Sequence, residues 1–207
     1  MIQTNEIILK SKEKFQKLLF VFHGYGADGN NLLPVGEEFA QATPSAEICI
    51  PNGLEVCEAG FGYQWFPLIG DDLEVWGKSF DECSDRIISY IESKMQEKHV
   101  GYEDVIFTGF SQGAMLSLGL GLKCGVQAII AFSGGLLSPK PIIASKRTKV
   151  LLAHGVQDVV VDVSFMRATE NMLKAENVNV QTAVSANAGH GIDDYMLCRA
   201  VDFLKSL

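Results

Sequence analysis

Nowhere in its 207 residues does the chain carry an apolar run near the ~20 residues that a membrane-spanning helix requires. Basic charge is also short: 17 Lys and Arg stand against 25 Asp and Glu, a formal charge of −8. Phosphate binding needs a clustered positive face, so this balance argues against a nucleic-acid partner and against adsorption to anionic lipid. Cysteine is sparse and scattered. Cys49, Cys57, Cys83, Cys124 and Cys198 are odd in number and show no C-x-x-C spacing, which argues against a disulfide framework or a zinc site and fits reduced, buried thiols. Met1–Glu6 lacks the basic start and apolar stretch of a signal peptide, and the cytoplasm is the expected location. Internal repeats and low-complexity segments are missing as well.

What is there reads as one domain over residues 1–207. The apolar share of 47% and charged share of 20% are those of an ordinary globular chain, and this length buries roughly 70% of the unfolded surface without help from disulfides or metal. Leu18–Phe22, Ile48–Ile50, Val105–Thr108, Ala128–Phe132 and Val150–Ala153 are continuous apolar runs, as expected of strands buried on both faces. Val180–Val184 alternates and reads as nearer an edge; Glu6–Lys10 is a weaker strand, suited to antiparallel addition at a sheet edge. Between these runs, Gln112–Lys123, Met166–Ala175 and Ile192–Leu207 have helical spacing. So do Phe80, Cys83, Ile87, Ile91 and Met95, with Ser79 and Glu82 forming a capping-box signature ahead of them. Strands alternating with helices predict an α/β fold: a mainly parallel central sheet with helices on both faces and active residues beyond the strands' carboxyl ends. Residues 52–78, rich in Gly and aromatics, read as a long loop or lid.

Gly109-Phe110-Ser111-Gln112-Gly113 matches G-x-S-x-G, with a strand before it and a helix after it. That context is the one a nucleophile elbow requires, because the sharp turn leaves no room for side chains two residues to either side of the serine. Ser111 is the candidate nucleophile. Ser133 also follows a strand but lacks the earlier glycine, and reads as structural.

Chain order selects the base and acid. In this architecture they follow the serine as acid, then histidine. Only His154 and His190 follow Ser111, and no Asp or Glu lies between Gln112 and Ala153, so His190 is the candidate base. Asp158, Asp162, Glu170 and Glu176 remain as acids. Asp158 is favoured because it falls just past a strand; Asp162 is a rival that also suits the start of the next helix. For the oxyanion, the backbone N–H of Gln112 opens the helix after the serine, and that of Tyr25 lies in the Gly-rich loop closing an early strand. His23, before that loop's glycines, reads as a loop-ordering group rather than a base.

Together these segments resemble the phospholipase/carboxylesterase family, which includes acyl-protein thioesterases. The resemblance rests on His23-Gly-Tyr-Gly-Ala-Asp-Gly29, Pro51-Asn52, Tyr63-Gln-Trp-Phe66, Gly109-Phe-Ser-Gln-Gly113, His154-Gly-Val-Gln-Asp158 and Gly189-His-Gly-Ile192, and covers nearly the whole chain. It implies an α/β-hydrolase fold, no metal or organic cofactor, and hydrolysis of small acyl esters, lysophospholipids or S-acyl proteins through an acyl-enzyme. It carries the triad onto Ser111, Asp158 and His190, and the oxyanion amides onto Tyr25 and Gln112. Val159 and Asp162 stand where the family usually has proline. Trp65, Phe66 and Leu68, clustered in the loop rather than on a helical stripe, read equally as an acyl-binding wall or as a satellite core. An exposed apolar patch there would instead suit a homodimer contact.

Overall fold

The apolar runs become the middle of a seven-stranded sheet. The computed structural model describes residues 5–58, 60–70, 72–138 and 141–207. Its strands are β1 (Glu6–Leu9), β2 (Lys17–Phe22), β3 (Ala46–Pro51), the short β4 (Glu55–Val56) and β5 (Tyr63–Gln64), β6 (Val105–Phe110), β7 (Ala128–Phe132), β8 (Lys149–Gly155) and β9 (Asn179–Ser185). The large sheet runs in the order β1-β3-β2-β6-β7-β8-β9, all parallel except β1, which pairs antiparallel with β3 at the edge. β9, whose sequence alternates, forms the other edge. β4 and β5 make a separate hairpin within the 52–78 segment.

Among the described residues, five α-helices cover the two faces: α1 (Gly29–Ala42), α2 (Leu73–Lys98), α3 (Gln112–Cys124), α4 (Val163–Ala175) and α5 (Asp194–Lys205). Side chains alternate across each strand, so β2 sends Leu18, Phe20 and Phe22 to one core and Leu19 and Val21 to the other. The first core is closed by α2, α3 and α4, the second by α1 and α5. β1 is held by a side-chain clamp, with Glu6 accepting from the Tyr90 hydroxyl at 2.5 Å and pairing with Lys94 on α2.

The start of α2 departs furthest from the sequence expectation and ends the expected 52–78 loop early. α2 starts at Leu73, six residues before Ser79, and Ser79 is buried inside it. The Asp72 carboxylate caps the helix by accepting from the Glu74 N–H at 2.7 Å, and the Trp76 indole donates to the Gly70 carbonyl. Ser79 and Glu82 mimic a cap that Asp72 supplies earlier.

Candidate active site

Ser111 sits in the turn between β6 and α3 at φ 54° and ψ −115°, a backbone conformation that non-glycine residues rarely adopt. Hydrogen bonds hold it there: its N–H donates to the Phe132 carbonyl on β7 at 2.9 Å, and its carbonyl accepts from Ala114 N–H at 2.9 Å. The flanking glycines are sterically required. A Cβ on Gly109 would lie 2.2 Å from the Gly113 carbonyl oxygen, and one on Gly113 would lie 2.0 Å from that of Phe22. α3 therefore starts directly under the serine, with its positive end toward the position where an oxyanion would form. Ser133 also has positive φ but is fully buried at the end of β7, with its N–H donating to the Ala153 carbonyl.

Two loops bring the other side chains together. Val156 N–H donates to Ser185 O at 2.8 Å and Gln157 N–H to Ala188 O at 3.0 Å, stitching the loop after β8 to the loop after β9. Across that seam the His190 Nδ1 lies 2.8 Å from Asp158 Oδ2. Asp158 Oδ1 accepts from the N–H groups of Val160 and Val161 at 2.9 and 2.8 Å. Burial pushes the Asp158 carboxyl up, but the Val161 N–H, His190 and the Val160 N–H outweigh it and hold the group below its ordinary value. Asp162 is exposed and points elsewhere: it caps α4, accepting from Ser164 N–H at 2.8 Å. The His190 ring leans on Phe110, the residue before the serine, with centroids 4.8 Å apart.

The early loop lies against the elbow, since a Cβ on Gly24 would stand 3.4 Å from that of Ser111. His23 orders it. Its Nδ1–H donates to the Gly24 carbonyl at 2.7 Å and its Nε2 accepts from Gly53 N–H at 2.8 Å, which requires the neutral ring. Burial keeps the His23 pKa below its usual value. Tyr25 lines the same cleft as Ser111, and Cys57 together with burial pushes its phenol pKa up.

Two further roles lie in side chains that the residue spacing does not single out. Gln112, fully buried, accepts from Trp65 N–H at 3.0 Å and donates to the Phe66 carbonyl at 2.6 Å. The Trp65 indole N–H donates to the His23 carbonyl at 2.9 Å. One dipeptide thus braces both segments that carry the candidate oxyanion amides. Trp65 and Phe66 are themselves buried in the core against Phe22 and Phe80, and Leu68 packs half-buried beside them. The exposed aromatic of this segment is Phe61.

Ser111, His190 and Tyr25 open on a cleft of about 510 Å³, walled by Leu32, Val35, Ile192 and Leu197. That is a volume suited to a small ligand. Among the described residues, no three His, Cys, Asp or Glu side chains converge to hold a metal ion, and no helix is long and apolar enough to cross a membrane. A serine after β6, a carboxylate after β8 and an imidazole after β9, all beyond the carboxyl ends of parallel strands, are groups able to carry out acyl transfer.

Residues 3–207 match the family model described as Phospholipase/Carboxylesterase. The chain is 28% identical over 204 residues to Esterase YpfH of Escherichia coli K12, covering 97% of this chain and 88% of that protein. It is 26% identical over 204 residues to Acyl-protein thioesterase 1 of Neurospora crassa, covering 88% and 83%. Among solved structures it superposes on esterase PE8 with a TM-score of 0.92 at 31% identity, over 99% of both chains. The Bacillus cereus carboxylesterase shares the fold, at TM-score 0.82 and 17% identity over 98% and 94%.

Proposed function

Because the chain belongs to the phospholipase/carboxylesterase family, we propose that Ser111, His190 and Asp158 are the triad of its ester and thioester hydrolysis. The protein is a serine carboxylesterase/thioesterase of α/β-hydrolase fold. The observation that supports this choice of residues is the 2.8 Å contact between His190 Nδ1 and Asp158 Oδ2, with His190 and Ser111 on one cleft.

A carboxylate only accepts, so Nδ1 carries the imidazole proton and Nε2 is left as the base. Nε2 takes the Ser111 hydroxyl proton as Oγ attacks the acyl carbon. The negative charge moves onto the carbonyl oxygen, where the Tyr25 and Gln112 N–H groups stabilise it. Collapse expels the alkoxide or thiolate, which His190 protonates. Water then attacks the acyl-enzyme, His190 takes its proton, and the acid leaves as Ser111 recovers its hydrogen. Asp158 stays ionised throughout and stabilises the imidazolium.

The apolar walls and volume of the cleft support small-molecule acyl esters as substrates, with lysophospholipids and S-acyl proteins as larger members of the same chemistry. The buried, inward-turned Trp65 and Phe66 favour a supporting role over an acyl wall. We further read residues 1–207 as one catalytic domain, with a lid in the part of the 52–78 segment that precedes α2. The five unpaired thiols support a reducing compartment such as the cytoplasm.

The deciding experiment is labelling with a fluorophosphonate together with turnover of p-nitrophenyl esters of graded chain length. Ser111→Ala is expected to abolish labelling, and Ser111→Ala or His190→Ala to lower kcat by ~10⁴–10⁶. Full turnover in the serine variant rejects the assigned nucleophile.

A further inference from the structure

His154, on β8 one position before its final residue, is fully buried and has no part in the proposed triad. Its Nε2 lies 2.8 Å from the Val161 carbonyl oxygen and 3.4 Å from Asp158 Oδ2, the oxygen that also faces His190 Nδ1. A carbonyl only accepts, so Nε2 bears a proton, and in the neutral ring Nδ1 is then a lone pair. That Nδ1 is closed to solvent and has no hydrogen-bond partner among the described residues. Packing alone gives no reason for an imidazole here, since an apolar side chain would fill the space without burying an unpaired nitrogen. The polar contacts of this ring are made at Nε2.

By holding the Val161 carbonyl, Nε2–H fixes the turn that aims the Val160 and Val161 N–H groups at Asp158 Oδ1. The same N–H flanks Oδ2. We propose that His154 is a positioning residue for hydrolysis, a second imidazole that clamps the acid loop and sets the carboxylate against His190. This rests on the reading of Asp158 as the triad acid. A neutral donor suits that role, because it orients the carboxylate while leaving the negative charge to the imidazolium that forms on His190.

The experiment compares the whole chain with His154→Leu, His154→Gln, His154→Asn, Asp158→Asn and the double variant His154→Leu/Asp158→Asn, on p-nitrophenyl acetate, with unfolding midpoints recorded. Asp158→Asn is expected to lower kcat by ~10⁴. His154→Leu is expected to lower kcat at least about tenfold with KM unchanged, and to cost nothing more in the Asp158→Asn background, because its effect passes through that carboxylate. His154→Gln, whose amide nitrogen reaches the Nε2 position, restores kcat to within about threefold of native. Full activity in Asp158→Asn would sink the triad reading itself. If Asp158→Asn is crippled while His154→Leu keeps native kcat, or costs the same factor in both backgrounds, the inference falls and the triad stands. Where the leucine variant does not fold, His154→Gln is set against His154→Asn, whose amide stops short of Nε2: a higher kcat in the glutamine variant supports the clamp, and equal values overturn it.

Discussion

The side-chain amide of Gln112 holds the backbone of Trp65, accepting from its N–H at 3.0 Å while donating to the adjoining Phe66 carbonyl at 2.6 Å. The lid-side segment and the turn carrying the serine are therefore fastened by one buried side chain. Gln112→Leu leaves both backbone groups unpaired, each at a cost of about 1–3 kcal/mol. The midpoint of thermal unfolding should fall by at least about 4 °C. Steady-state kinetics should show a loss in kcat larger than any rise in KM, because the Gln112 N–H is proposed to act on the transition state. An unchanged midpoint contradicts the bracing role.

His23 makes stability depend on pH. Burial depresses its folded-state pKa below the ordinary 6.5, so the unfolded chain binds this proton more readily. The stabilisation is complete above pH ~6.5 and is lost as pH falls from there through the lower folded value. Protonated Nε2 can no longer accept from Gly53 N–H. Melting curves between pH 8 and 5 should slope downward in the native protein and flatten over that range in His23→Gln, which does not titrate.

The two aspartates of the loop after β8 should separate cleanly. Asp162→Asn keeps the cap on α4, since Asn caps as well as Asp, and turnover should stay within about twofold of native. Asp158→Asn presents His190 with the wrong partner and should lose ~10⁴ in kcat. Parallel p-nitrophenyl ester assays decide it, and the reverse ranking transfers the acid role to Asp162.

Gly113→Ala is expected to destroy the elbow. Its Cβ would meet the Phe22 carbonyl carbon at 2.5 Å as well as the oxygen at 2.0 Å, and both atoms belong to the central strand β2, which cannot yield. The variant should fail to react with fluorophosphonate and should lose more than about 3 kcal/mol of stability. Chemical denaturation and labelling in the same sample check both.

Continuous apolar runs locate the central strands in the sequence, because a strand buried on both faces leaves no polar position to confuse it. β4 and β5, two residues each, leave no such trace. The start of α2 is misplaced by sequence because Ser79 and Glu82 have the right spacing for a cap, and spacing cannot report that Ser79 is buried mid-helix while Asp72 caps. At the site, chain order leads to His190 and Asp158, which the structure brings to 2.8 Å. Aromatic clustering leaves Trp65 and Phe66 open between pocket wall and core, since side-chain direction in an irregular segment follows no period. The contact of His154 with the same carboxylate depends on how the loop from Gly155 to Asp162 turns back on itself, and linear spacing carries no signal of that turn.

Ser111 occupies a backbone geometry that glycine adopts freely. Replacing it with glycine would relieve strain on the order of 1–3 kcal/mol while removing the hydroxyl proposed as the nucleophile. Robustness and turnover therefore pull in opposite directions at this position. A search for hardier variants scored by melting alone would drift toward inert protein, so each round must also be screened for activity.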